Sequence, residues 1–347
     1  MRAEHQTTRE LAEQCLSLAQ NEQDPILLLG AYLELGSASF SLGELAQALQ
    51  QLGQGMSLYN PQERSAHIRL YGYDLGVSCF ARAASVLWLM GYVDQALQKV
   101  REALTLAQQR AHPFSVTYAL SFAVECHRLR REAHATQERA EAVLALATEQ
   151  SFPLWAAAAT IYRGWALAEQ GQSEEGITQI RAGLSSWRAT GAEVGLPSWL
   201  GQLAEAYGVA GQIEAGSTTL NEALAIVQQT EERWWEGELY RLKGELTLQQ
   251  ENQKAKGKNQ KLKIPEPKFQ ILNPQAEAYF LKAIEVARKQ QAKSLELRAT
   301  VSLARLWQQQ GKRPEAHDLL SEIYNWFTEG FDTKDLQEAK TLLNELA

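Results

Sequence analysis

A three-residue pattern returns eight times along this chain: a small residue, an apolar residue four positions on, and a small or apolar residue three further. It is read at Ala12-Leu16-Ala19, Ala48-Leu52-Gly55, Ala96-Val100-Ala103, Thr136-Ala140-Val143, Gly176-Ile180-Gly183, Gly216-Leu220-Ala223, Ala276-Phe280-Ala283 and Ala316-Leu320-Ile323. Successive copies are 36, 48, 40, 40, 40, 60 and 40 residues apart. Offsets of four and seven fall on one face of a helix, and small residues on that face let a second helix approach closely. Five residues before the first member stands Gly43, Gly91, Gly171, Gly211 or Gly311, with Arg131 as the exception. Glycine accepts the left-handed backbone that ends a helix. Before each such turn runs another amphipathic stretch, such as Phe80 to Met90, Ile161 to Gln170 or Val301 to Gln310. Each unit is therefore read as helix, short turn, helix. Nothing alternates with the period of two that a half-buried strand requires. The fold class that follows is all-α, a right-handed α-solenoid of helix-turn-helix units with a period of about 40 residues.

Tyr32, Leu35, Gly36, Gly43, Leu45 and Ala48, together with Ala276, Phe280 and Ala283, resemble the tetratricopeptide repeat over roughly residues 8 to 330. The family's usual period is about 34 residues, so longer helices and inter-unit loops are implied here. Pro25, Pro113, Pro153 and Pro197 fall between units, where one helix stops before the next begins. A second resemblance lies in Trp234 through Leu246, Ala292 through Ala299, Ser302 through Trp307 and Trp326 through Thr333. These stretches are similar to the C-terminal repeat region of large bacterial signalling proteins, where cyclase or kinase domains and an AAA-like ATPase domain precede the repeats. The resemblance implies a regulatory or binding role. It transfers no catalytic activity, because neither enzymatic domain is present in this sequence.

The interruptions locate the remaining organisation. The whole of 1–347 is read as one solenoid. The 48-residue spacing puts extra residues near Tyr59 to Ser65, and the 60-residue spacing places an insertion at 251–271. That insertion holds Lys254, Lys256, Lys258, Lys261, Lys263 and Lys268, and reads as a basic, solvated, disordered segment. Its alternative role is a docking arm for an acidic partner or nucleic acid. Ala12-Leu16-Ala19 belongs to a second helix without its first, so the array is expected to begin either on a capping helix or as part of a longer chain. Residues 333–347 read as a C-terminal capping helix, with Leu336, Ala339, Leu342 and Leu343 on one side.

Composition removes several function classes. Lys and Arg number 34 against 41 Asp and Glu, and a net charge of -7 does not suit a general binder of nucleic acid or anionic membrane. No apolar run nears the ~18 residues of a membrane span, and Met1 to Gln6 lacks a signal peptide's apolar core. Cys15, Cys79 and Cys126 form no CxxC pair, which disfavours a disulfide framework and points to a reducing cytoplasm. Gly211 to Thr218 mimics a phosphate loop, but Ser217 stands where the lysine belongs and no strand precedes it. The six histidines include no HExxH and no i,i+4 pair, and no GxSxG occurs. The chain is therefore read as non-enzymatic, with no cofactor and no metal.

The expected site is the concave groove lined by the first helices. Its inward residues by register are Arg82, Trp88, Tyr118, Glu125, Arg128, Tyr162, Trp165, Gln202, Glu205, Arg241, Glu245, Arg298 and Arg305. That groove is aromatic in the middle and arginine-rich toward the far units, suited to a protein or peptide segment. Tyr162 and Trp165 also fit a plain core role. Of Trp234 and Trp235, about 100° apart on a helix, one is expected to pack and the other to be exposed. Self-assembly through the repeat ends is the other partner reading.

Overall fold

A computed structural model describes residues 2–109, 111–262 and 273–347, with the side chains of 255–262 outside the described set. The described residues fold into α-helices joined by turns and short loops, and hold no strand. The helices are α1 (His5–Glu22), α2 (Pro25–Ser41), α3 (Leu45–Leu58), α4 (Arg64–Tyr71), α5 (Leu75–Leu89), α6 (Val93–Gln108), α7 (Pro113–Leu129), α8 (Ala133–Glu149) and α9 (Pro153–Glu169). They continue as α10 (Ser173–Ala189), α11 (Leu196–Val209), α12 (Ile213–Thr230), α13 (Glu236–Leu262), α14 (Pro274–Gln290), α15 (Lys293–Gln309), α16 (Arg313–Tyr324) and α17 (Lys334–Leu346). The units are the packed pairs α2/α3, α5/α6, α7/α8, α9/α10, α11/α12, α13/α14 and α15/α16, with α1 against α2 and α17 against α15 and α16.

The recurring triads are the seams of these pairs. Ala48, Leu52, Ala96, Ala103, Ala140, Ile180, Leu220, Phe280 and Leu320 are all fully buried. Gly43, Gly91, Gly171, Gly211 and Gly311 have positive φ, and Arg131 takes the same backbone with φ 60°. The turn geometry is thus retained where the glycine is not. The prolines open helices rather than merely separating units: Pro25, Pro113, Pro153 and Pro197 each occupy a first or second helical position. There the missing N–H costs nothing and the fixed φ is already helical. Before Pro25, the Asp24 carboxylate accepts the N–H groups of Ile26 at 2.8 Å and Leu27 at 3.2 Å.

The extra residues after Tyr59 form a 3-10 turn at Pro61–Glu63 and then α4. A buried polar cluster ties them down. Arg64 pairs with Asp74, the Tyr59 hydroxyl donates to Asp74 Oδ2 at 3.1 Å, and His67 is 3.8 Å from the same carboxylate. In the Lys-rich segment, α13 runs on through 251–262, so that part extends a helix, whereas 263–272, with Lys263 and Lys268, lie outside the described residues.

The array curls until its late units touch its early ones. The Arg233 N–H donates to the Ser41 carbonyl at 2.7 Å, and Arg298 Nη2 to the Leu129 carbonyl at 2.6 Å. Arg130 Nη2 reaches Asp332 at 2.8 Å, and the Gly330 N–H reaches Asp94 at 3.1 Å. These contacts decide what becomes of the concave face.

Candidate functional site

Successive turns of the first helices build three layers. On α7, Tyr118, Phe122 and Glu125 face one cavity and Arg128 lies beyond them, while Arg131, in the turn that follows α7, faces a second cavity. On α9 the order is Tyr162, Trp165, Glu169, and on α11 it is Ser198, Gln202, Glu205. The middle layer is packed: Trp165, Gln202 and Trp235 are 2%, 1% and 2% exposed. The Arg128 guanidinium lies 5.1 Å over the Trp235 ring and 6.0 Å over Trp165, while Trp165 Nε1 donates to Glu205 at 2.8 Å. Arg298 sits 4.9 Å over the ring of buried Trp88.

The first cavity is about 650 Å³ and is walled largely by rings. Tyr118 stacks on Phe122 at 4.7 Å and meets Trp155 edge-on at 5.3 Å. Trp199 meets Tyr162 at 5.1 Å and Trp187 at 5.4 Å. Trp234 lies 4.9 Å from Phe40. The Arg82 guanidinium is held between Phe40 at 5.2 Å and Phe122 at 5.0 Å. Desolvation by the surrounding protein raises the carboxyl pKa of half-buried Glu125 and, though its side chain stays exposed, of Glu34, against the pull of Arg128 and Arg82 on Glu125 and of Arg82 on Glu34. Ser85 donates to Glu125 at 3.2 Å. At one end His5 of α1 approaches Glu232 at 3.6 Å, and Glu232 accepts the Gly195 N–H at 2.9 Å and Trp234 Nε1 at 3.0 Å.

The second cavity, about 310 Å³, is charged and internally paired. Arg241 grips Glu238 with bonds of 2.7 and 2.9 Å, Arg298 reaches Asp335 at 2.8 Å, and Arg131 reaches Glu338 at 3.0 Å. Burial alone would raise the Glu238 carboxyl, but Arg241 and Arg298 overcome it and hold it at about 2. Glu169 is pushed up by burial and by neighbouring Glu205. Among the described residues no group of three His, Cys, Asp or Glu is placed to hold a metal ion, and no helix is long and apolar enough to cross a membrane.

The residues expected in one groove are therefore divided. Arg82, Tyr118, Glu125 and Tyr162 line the aromatic cavity. Glu205, Arg241, Glu245, Arg298 and Arg305 line the charged one. Trp88, Arg128, Trp165 and Gln202, expected to line an open groove, are buried instead, in a packed middle layer. Trp234 and Trp235 are both buried, contrary to the expectation for one of them, because Trp234 closes the cavity against Phe40. The register missed Phe114, Trp155, Trp187 and Trp199. Phe114, Tyr118 and Phe122 recur every fourth residue on α7, a visible signal; Trp187 ends a second helix and gave none.

The fold is that of a tetratricopeptide-like helical-repeat solenoid. No protein-family model matches the chain. The uncharacterized protein R02095 of Rhizobium meliloti (strain 1021) is 23% identical over 226 residues, covering 65% of this chain. The match spans 22% of that relative's own length. Among solved structures, a Rap protein complexed with Competence and Sporulation Factor superposes with a TM-score of 0.57 at 13% identity, over 97% of this chain and 93% of its own. Aspartyl phosphate phosphatase F from Bacillus subtilis gives 0.52 at 10% identity, over 89% and 73%. A signal transduction ATPase with numerous domains and a tetratricopeptide repeat sensor, from Pyrococcus horikoshii, gives 0.44 at 13% identity, over 99% and 50%.

Proposed function

We propose that this chain is a non-enzymatic interaction scaffold that holds a peptide or protein segment in its aromatic cavity, as a regulatory or sensor module of bacterial signalling. The observation that carries the reading is the 650 Å³ ring-walled cavity on the concave side, with Arg82 in its wall. Its size and its few polar groups among rings are those of a ligand site. Aromatic walls bury large area for little lost rotamer freedom, which suits capture of an apolar side chain from a partner. A Rap protein with this fold is complexed with Competence and Sporulation Factor, which supports a binding role for the fold here. The signalling context rests on the likeness of Trp234 to Thr333 to the repeat regions of signalling proteins.

The test is selection of peptides from a random display library on the purified chain, followed by binding to Ser37→Trp. Ser37 lines the cavity and is half-buried, so an indole there fills the space. Selected peptides that bind the wild type and not a helical, folded Ser37→Trp protein support the reading. Peptides that bind both equally remove the cavity from it.

A further inference from the structure

Buried hydrogen-bond donors in the wall of the aromatic cavity lack acceptors. Trp187 Nε1, Trp199 Nε1 and Arg82 Nε are buried and meet no hydrogen-bond partner. All three side chains line this one cavity. The carboxylates in the wall do not answer them. Glu232 accepts the Gly195 N–H and Trp234 Nε1, and Glu125 the Ser85 hydroxyl, and neither bonds any of the three. Glu34 and Glu125 act on Arg82 only at range, and among the described residues no carboxylate comes within the 4.0 Å of an ion pair with it. A guanidinium carries five donors in a fixed fork. Phe40 and Phe122 flank this one at 5.2 and 5.0 Å, and its Nε meets no acceptor.

We propose that the cavity takes a ligand with an aromatic or branched apolar body and a carboxylate, the body seated among the rings around Trp155 and Trp199 and the carboxylate on Arg82. This deepens the scaffold reading and rests on it only in placing a ligand in this cavity. The carboxylate has two sources, an acidic group on a bound peptide or a small free acid. Both supply the acceptor oxygens that the buried donors lack, and burying a donor unpaired is unfavourable. The body matches the walls, since ring faces favour offset and edge-on contact with another ring.

The experiment measures binding by calorimetry and by quenching of tryptophan fluorescence. The probes are 1-naphthaleneacetate, its uncharged amide 1-naphthaleneacetamide, and the cation 1-naphthylmethylamine. Any display-selected peptide is added in its acidic form and with every carboxylate converted to amide. In the wild type the acid should bind at least about tenfold more tightly than the amide, the scale of one charge-assisted hydrogen bond. Arg82→Gln should bring that ratio to about one, while Arg82→Lys keeps part of it. Equal binding of acid and amide, a preference that survives Arg82→Gln, or tighter binding of the amine overturns the proposal. If Arg82→Gln does not fold, the acid-to-amide ratio in the wild type and in Arg82→Lys still decides it. A peptide that binds in the cavity without any preference for its acidic form sinks this inference and leaves the scaffold reading standing. Arg82-dependent binding of 1-naphthaleneacetate with no peptide bound does the reverse. Binding of none of these probes at millimolar concentration overturns both.

Discussion

The Ser294 hydroxyl donates a 2.6 Å hydrogen bond to the carbonyl oxygen of Trp88, joining positions 206 residues apart. A repeat array in which each unit touches only its neighbours has no such bond, and its stability is a sum of local terms. Here α15 returns to the end of α5, Arg298 to the end of α7, and Asp332 to Arg130. The ring of contacts packs the middle of the concave face and leaves a separate chamber on each side.

Asp335 is a keystone of that return. It accepts Arg298 Nε at 2.8 Å and Arg131 Nη1 at 3.3 Å, and its side chain is only 11% exposed. Asp335→Ala should cost about 2 kcal/mol in urea unfolding, because it leaves two largely buried guanidinium groups short of a partner. Hydrogen–deuterium exchange distinguishes this from a local effect. Amides at the end of α7 should lose protection together with those of α15 and α17. Loss confined to α15 and α17 would mean that the ends are not energetically joined.

The units were readable from the sequence because their determinants are local. The seam of α9 and α10, for instance, is written in Gly176, Ile180 and Gly183, and the left-handed turn survives even at Arg131. Helical period alone puts Arg128 and Trp165 on one side of their helices. Whether that side is open was not readable. That depends on how far small rotations between seven pairs accumulate, and so on meetings such as Ser294 with Trp88. Trp187 and Trp234 join the cavity from outside the first helices, where no periodicity points to it.

Glu238 should govern acid sensitivity. Its carboxyl is held at about 2 against an ordinary 4.5, so the folded state binds its proton less readily than the unfolded state. The stability it contributes is present above pH 4.5 and is lost as pH falls from 4.5 toward 2. Glu238→Gln should be less stable at pH 7 by about 3 kcal/mol. It should also show a shallower fall in stability between pH 4.5 and 3 than the wild type. Parallel curves through that interval would show that Arg241 and Arg298 do not act through this carboxylate.

Helix separation in the α9/α10 pair is set by missing side chains. A Cβ on Gly176 would lie 2.5 Å from the Gly164 carbonyl oxygen, and one on Gly164 would lie 2.7 Å from that of Gly176. Neither backbone can swing aside as a side chain tip can. Gly176→Ala should therefore destabilise by about 1–3 kcal/mol, the range for overpacking a seam. Gly53, also helical, meets nothing within 4 Å, and Gly53→Ala should stabilise by about 0.5–1 kcal/mol through helix propensity. Equal effects in chemical denaturation would refute the close approach.

Thiol reactivity reports on the closed ring without any ligand. Cys15 is exposed, whereas Cys79 and Cys126 are buried. Burial raises both buried thiols, that of Cys126 to about 12, so at pH 8 only about one in ten thousand is the reactive thiolate. Ellman's reagent should modify one thiol quickly in the native protein and the other two only as the structure opens. Cys126 lies on α7 near Leu129, the residue whose carbonyl Arg298 holds at 2.6 Å. Asp335→Ala loosens Arg298 and should accelerate labelling of Cys126, read by mass spectrometry of tryptic fragments, more than that of Cys79 on α5. Equal acceleration at both would mean global unfolding, and none at either would mean that α7 is held without the late units.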